Sequence, residues 1–177
     1  MMISCKNPNS PPKIGLFVLI NLAIGLILFS LFPSSAVANS IGLFTITPVN
    51  FGTYNSSSGA NLTSTGNIQI DKFYNLLNPL QPVSTNFTVK LSTGSSGNYG
   101  SRKMTNPLFP TTPLNYNLYT SSGNGATIWG DGTGGSGSIS QVGTSNINIP
   151  IYGVVPAGQN PGIGSYSDTV TVTIEFN

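Results

Sequence analysis

Residues 166–177 read YSDTVTVTIEFN, and they decide the fold. Val170, Val172, Ile174 and Phe176 recur at every second position, with Thr169, Thr171, Thr173 and Glu175 between them. Side chains two apart share a face of an extended chain, whereas a helix would spread them around its axis. The stretch is a β-strand with one face on a core and the other toward water.

Outward from it the same period returns. LFTIT (43–47) sets Phe44 and Ile46 on one face, GNIQID (66–71) pairs Ile68 with Ile70, and NFTVKLS (86–92) aligns Phe87, Val89 and Leu91. LNYNLY (114–119) alternates Leu114, Tyr116 and Leu118 with polar positions, and INIPIYGVV (147–155) does so with Ile147, Ile149 and Ile151. Between these runs lie NSSSG, NPLQP, STGSSGN, SSGNG, GDGTGG and VPAGQNPGIG, all of them turn chemistry. No window past residue 38 keeps a helical period. Short strands separated by regular turn signals predict an all-β chain, an antiparallel β-sandwich.

The amino terminus is different in kind. Lys6 and Lys13 precede the apolar run IGLFVLINLAIGLILFSLF (14–32), and Ala36-Val37-Ala38 follows as a small-residue cleavage site. This is the pattern of a secretory signal peptide over residues 1–38, with the sandwich domain over 39–177. An uncleaved anchor is the alternative, because the run is longer than a usual signal core and approaches the length of a spanning helix. Cys5 precedes the run, so cleavage would leave an exported chain without cysteine.

Chemistry is largely excluded. The chain has no His, and only 6% of it is charged, against about 25% in typical soluble domains. Without His or Cys past residue 38 there is no soft-metal site and no His-based triad. Asp71, Asp131, Asp168 and Glu175 are far apart, so no carboxylate pair is visible. Gly130, Gly132 and Gly135 match G-x-G-x-x-G formally, but no helix and no suitably placed acid follow, so no dinucleotide is expected. Asp131 alone is too little for a calcium loop. Arg102-Lys103 is the one basic pair, read as a solvated loop, and it offers no footprint for nucleic acid. Neither enzyme activity nor a cofactor is expected.

Trp129 is the single tryptophan, and it is set against glycines in ATIWGDGTGG (126–135). An indole at a core edge needs backbone to pass closely, which Gly130 permits, and the run with Gly132 then turns the chain. A surface Trp used for adhesion is the alternative.

Five blocks occur together and in order: VNFGTYN (49–55), VKLSTGSSGNYGSRKMTN (89–106), LNYNLYT…IWGDGTGG (114–135), YGVVPAGQ (152–159) and GSYSDTVTVTIEF (164–176). Together they resemble the spore coat protein U domain family, which includes pilin subunits of archaic chaperone–usher pili. Phe51, Gly52, Tyr54, Trp129, Gly130, Asp131, Gly132, Tyr152, Pro156, Gly158 and Tyr166 lie in these blocks and are expected to be scaffold.

The resemblance implies an incomplete immunoglobulin-like sandwich that lacks its last strand. A neighbour's N-terminal extension fills the groove, and a periplasmic chaperone holds it until an outer-membrane usher and other pilin subunits take over. The function implied is a secreted structural subunit that passes through the periplasm to a surface fibre or coat, with a role in adhesion or biofilm. Phe44, Ile46, Val170, Val172, Ile174 and Phe176 would line the groove and the chaperone-facing edge. The four on the final strand would lose part of their cover there.

Two departures stand out. Members of the family usually carry cysteines where this chain has Gly42 and Asp71 or Lys72. A donor strand of about ten residues would also have to precede GLFTIT. After cleavage at Ala38 only Asn39, Ser40 and Ile41 remain. A self-contained secreted sandwich serving as coat, matrix or carbohydrate-binding protein is therefore the alternative reading.

Overall fold

The computed structural model describes residues 2–5, 40–75, 78–82, 84–143 and 145–176. The expected signal segment, residues 1–38, lies outside the described residues except for 2–5. Among the described residues no helix is long and apolar enough to cross a membrane.

The strands in chain order are β1 (Met2–Cys5), β2 (Ser40–Thr47), β3 (Leu62–Asn75), β4 (Asn78–Pro82) and β5 (Thr85–Leu91). β6 (Arg102–Met104), β7 (Leu114–Tyr119), β8 (Ile139–Gly143), β9 (Ser145–Val155) and β10 (Thr169–Phe176) follow. Two sheets form among the described residues. One runs β1-β10-β5-β8; the other runs β2-β3-β9-β7-β6, with β4 beside β3. Every pairing is antiparallel except β1 with β10. The chain is an all-β, immunoglobulin-like sandwich.

Alternation builds the core. β5 buries Thr85, Phe87, Val89 and Leu91, and β10 buries Val170, Val172 and Ile174 with Thr169, Thr171 and Thr173 facing away. From the other sheet come Ile68, Ile70, Leu118, Ile149 and Ile151. Removing such side chains from water stabilises the fold by about 1.5–3 kcal/mol each.

One seam of the sandwich is stitched shut at Trp129. Its backbone N–H donates to Leu118 O at 2.8 Å in one sheet, and the Leu91 N–H in the other donates to Gly130 O at 3.0 Å. Its indole Nε1–H reaches Val89 O at 3.1 Å, and the side chain is fully buried. The adhesive alternative for this residue is therefore overturned: the indole is core. A Cβ on Gly130 would collide with the Ser136 side chain and come within 2.8 Å of the Tyr99 ring, so the position has room for glycine alone. Asp131 then accepts from the Thr133 N–H at 2.9 Å and hydroxyl at 2.7 Å, and Gly132 adopts φ +92°. The glycine run is a turn.

Arg102 corrects the reading of a solvated basic loop. It is wholly buried. Its Nε and Nη2 donate to Ser92 O at 3.1 and 2.8 Å, Nη2 also to Trp129 O at 2.7 Å, and Nη1 to Asn117 Oδ1 at 2.7 Å. The guanidinium also stands 5.3 Å from the centre of the Tyr99 ring. Burial pulls its pKa below the ordinary guanidinium value, and Tyr116, Tyr99 and Asp168 oppose that shift. A planar fork of five donors can meet several carbonyls at once, which explains an arginine here. Lys103, next to it, is exposed.

One further correction concerns a strand. NPLQP is β4 rather than a turn, paired to β3 at Tyr74↔Pro82 and Asn75↔Asn78. Pro is tolerated because, among the described residues, β4 has β3 alone as a partner, so no missing N–H breaks a second ladder. β8, ISQVG, carries no apolar alternation in its burial because it is an edge strand beside β5.

Candidate functional site

The opposite seam is open. Immunoglobulin-like sandwiches place strands ABED in one sheet and CFG in the other. Here β2-β3-β9-β7 take the places of A-B-E-D, and β5 and β10 those of C and F. Among the described residues the place of G, beside β10 and facing β2, holds only β1. That strand is four residues long, runs parallel, and pairs Met2 to Cys5 with Thr169 to Val172. From Thr173 to Glu175 no described strand flanks this edge.

The wall formed by β2 shows what is missing. Phe44 is opposite Ile70 and Ile46 opposite Ile68, so both point toward the core. Ile70 is 1% exposed, yet Phe44 is 42% exposed. Ile46 is half-buried, and Leu43, beside a register shift between Leu43 and Phe44, is 53% exposed. Among the described residues no strand lies in the next position to cover this inward-facing aromatic.

The wall formed by β10 is better covered than the resemblance implied. Val170 and Val172 are fully buried, Ile174 is 6% exposed, and Phe176 is half-buried. The first two lie beneath the stretch flanked by β1 and against the opposite sheet. Exposure at the slot thus falls mainly on β2.

A separate cleft of about 700 Å³ lies among the loops, and none of the slot residues Phe44, Ile46, Val172 or Ile174 lines it. Its lining joins the chain leaving β2, including Val49, Phe51 and Tyr54, to the chain entering β10, including Ile163 and Tyr166. Side-chain bonds hold these loops. The Tyr54 hydroxyl donates to Pro156 O at 3.1 Å and accepts from the Gln159 N–H at 2.9 Å, and the Tyr166 hydroxyl donates to Gly162 O at 2.9 Å. Gln159 also clamps Asn115, accepting from its N–H at 2.7 Å and donating to its carbonyl at 2.9 Å. Gly52 and Gly158 take φ +70° and +75° in the turns. Phe51 meets Tyr116 edge-on with ring centres 6.0 Å apart. Tyr152, by contrast, lies on β9 between Thr65 and Tyr119, away from the slot.

The head of β10 is fixed by a buried pair. The Tyr116 hydroxyl donates to Asp168 Oδ2 at 2.7 Å, while Oδ1 accepts from the N–H groups of Ser95 at 2.9 Å and Thr169 at 2.8 Å. Burial, and then the Asp168 carboxylate, push the Tyr116 pKa far above its ordinary value. Sequence reading missed Arg102, Asn117, Tyr116 and Asp168 as a polar framework, because nothing in their spacing announces it. Asp168 registered only as a charge.

No group of three or more metal-ligating side chains occurs among the described residues. What the slot offers is main chain along the β10 edge and apolar walls from Phe44, Ile46 and Ile174. That combination suits an added β-strand: the backbone supplies affinity and alternate side chains supply specificity.

Fold and slot define the class as an incomplete immunoglobulin-like β-sandwich. A family model described as Spore Coat Protein U domain matches residues 30–173, and the chain belongs to that family. Protein U of Myxococcus xanthus is 32% identical over 133 residues, which cover 72% of this chain and 71% of that protein. Among solved structures, one chain comes from work titled "Chaperone-tip adhesin complex is vital for synergistic activation of CFA/I fimbriae biogenesis". It matches with a TM-score of 0.47 and 11% identity, covering 75% of this chain and 41% of that one. This chain therefore spans about two-fifths of the other's length.

Proposed function

We propose that this chain is an exported, non-enzymatic structural subunit, pilin-like, built into a surface fibre or coat by donor-strand complementation. A periplasmic chaperone holds the slot first, and an outer-membrane usher and other pilin subunits complete assembly, with adhesion or biofilm as the outcome. The observation that carries this reading is Phe44, inward-facing yet 42% exposed beside a strand position that no described residue fills. Family membership supports it.

A second reading has its own observation. β1 covers the first half of the β10 edge, so a chain that keeps its leader would be partly self-completed.

Surface material from the source cell separates the two. Subunits joined by inserted strands stay linked in cold detergent and separate on boiling, because strand withdrawal is slow. Monomer under both conditions supports the self-completed sandwich. Phe44→Asp and Ile174→Asp should each abolish the linked forms.

A further inference from the structure

We infer that this subunit accepts a strand and does not give one, so the segment that fills its slot belongs to a different polypeptide, not to a second copy. The inference rests on the strand-accepting reading above and adds to it the identity of the donor.

The geometry turns on where β2 begins. Ser40 and Ile41 are already in the sheet, opposite Asn75 and Tyr74. Cleavage after Ala38 leaves Asn39 alone ahead of β2. One residue spans about 3.3 Å, whereas matching the eight residues of β10 takes a free strand of similar length. Freeing more chain would mean stripping β2 from β3. That would break the Phe44–Ile70 and Ile46–Ile68 pairs that form one wall of this subunit's own slot. A copy that gave its β2 could no longer hold a strand. The opposite seam offers no substitute, since residues 129–130 there bond to both sheets.

The occupant's chemistry follows from the walls. Phe44, Ile46, Val172 and Ile174 are apolar, so the incoming strand carries apolar residues at every second position. Lys90 and Glu175, on the flanking face of the β10–β5 pair, are paired to each other at 2.6 Å. β1 shows that the β10 edge takes a short strand: four residues of the leader pair with it in the full chain. Removal of the leader vacates that place.

The test uses the full 177-residue chain, produced in an exporting bacterium, with its processed end read by mass spectrometry. The expected end is Asn39. Alone, the protein forms no detergent-resistant ladder. A nine-residue peptide of alternating Val and Thr binds one to one and, at a hundredfold excess over Kd, raises the melting temperature by about 10 °C. A ten-residue Val/Thr strand inserted between Asn39 and Ser40 then turns the chain into a self-polymerising one.

A ladder formed by the unaltered chain would overturn the inference while leaving the strand-accepting reading intact. So would retention of ten or more residues ahead of Ser40. Failure of the peptide and of the inserted strand alike, in a protein that melts cooperatively, would sink the strand-accepting reading itself. If the exported protein aggregates, the same Val/Thr strand appended after Asn177 through a tetraglycine turn should restore a monomer. Continued aggregation of that variant counts against the slot.

Discussion

Phe44 and Ile70 stand opposite each other in the β2–β3 ladder, yet one is 42% exposed and the other 1%. Cross-strand partners in an antiparallel pair share a face, so both belong to the core side. The difference lies in what covers them. Ile70 is on β3, flanked by β2 and β9, whereas Phe44 is on β2, which has no second partner among the described residues.

That contrast sets the first expectation. Ile70→Ala should destabilise the exported protein by about 2–5 kcal/mol, as for other buried aliphatic truncations. Phe44→Ala should cost less than about 1 kcal/mol in the empty subunit, because much of its ring already meets water. With a Val/Thr strand in the slot, the Phe44→Ala penalty should rise toward that of Ile70→Ala. Urea unfolding of each variant, with and without the peptide, measures this.

Arg102 is the second. Arg102→Ala would strand the carbonyls of Ser92 and Trp129 inside the protein, while Asn117 Oδ1 would keep the Leu118 N–H as a donor. Each buried acceptor left without a donor costs about 1–3 kcal/mol, so the variant should lose at least ~2 kcal/mol. Arg102→Lys should fall between, since one ammonium cannot reproduce the fork. Trp129 fluorescence gives the readout, being the single indole and fully buried.

Tyr116 gives a pH dependence with a definite sign. Its folded pKa is raised, chiefly by burial, so the folded state favours the protonated hydroxyl. The stability this contributes is present below the unfolded tyrosine pKa of about 10 and is lost as pH rises above it. Tyr116→Phe removes the bond to Asp168 at neutral pH, costing about 1–2 kcal/mol. The variant should also lose less stability than the parent between pH 9 and 11, roughly the window around the free phenol pKa. Urea midpoints across that range provide the check.

Much of the fold was legible because burial at the strands follows a period of two. β5 and β10 alternate in structure as they do in sequence, and Thr faces away from the core wherever it separates Val or Ile in β10. Length was harder. β3 runs from Leu62 to Asn75, though only GNIQID within it alternates cleanly, because pairing to β2, β9 and β4 extends it past its own apolar signal. Arg102 was misread for a physical reason: a cation is buried by acceptors brought from residues 92, 117 and 129, and no local window contains them. The slot itself came from the family resemblance. Alternation marks Phe44 as inward but carries no information about the strand absent beside it.

Hydrogen exchange along β10 in the exported, leader-free protein tests the open slot most directly. A strand with one vacant side opens more easily than one paired on both. The amides of Val172 and Ile174 point away from β5, because the alternate residue Thr171 faces it and bonds to Ser92. They should exchange at least about a hundredfold faster than those of Tyr152 and Val154 in β9, which are paired to β3 on one side and β7 on the other, and should slow toward them when a Val/Thr strand is appended. Equal, maximal protection of β10 and β9 without any added strand would contradict a vacant place beside β10.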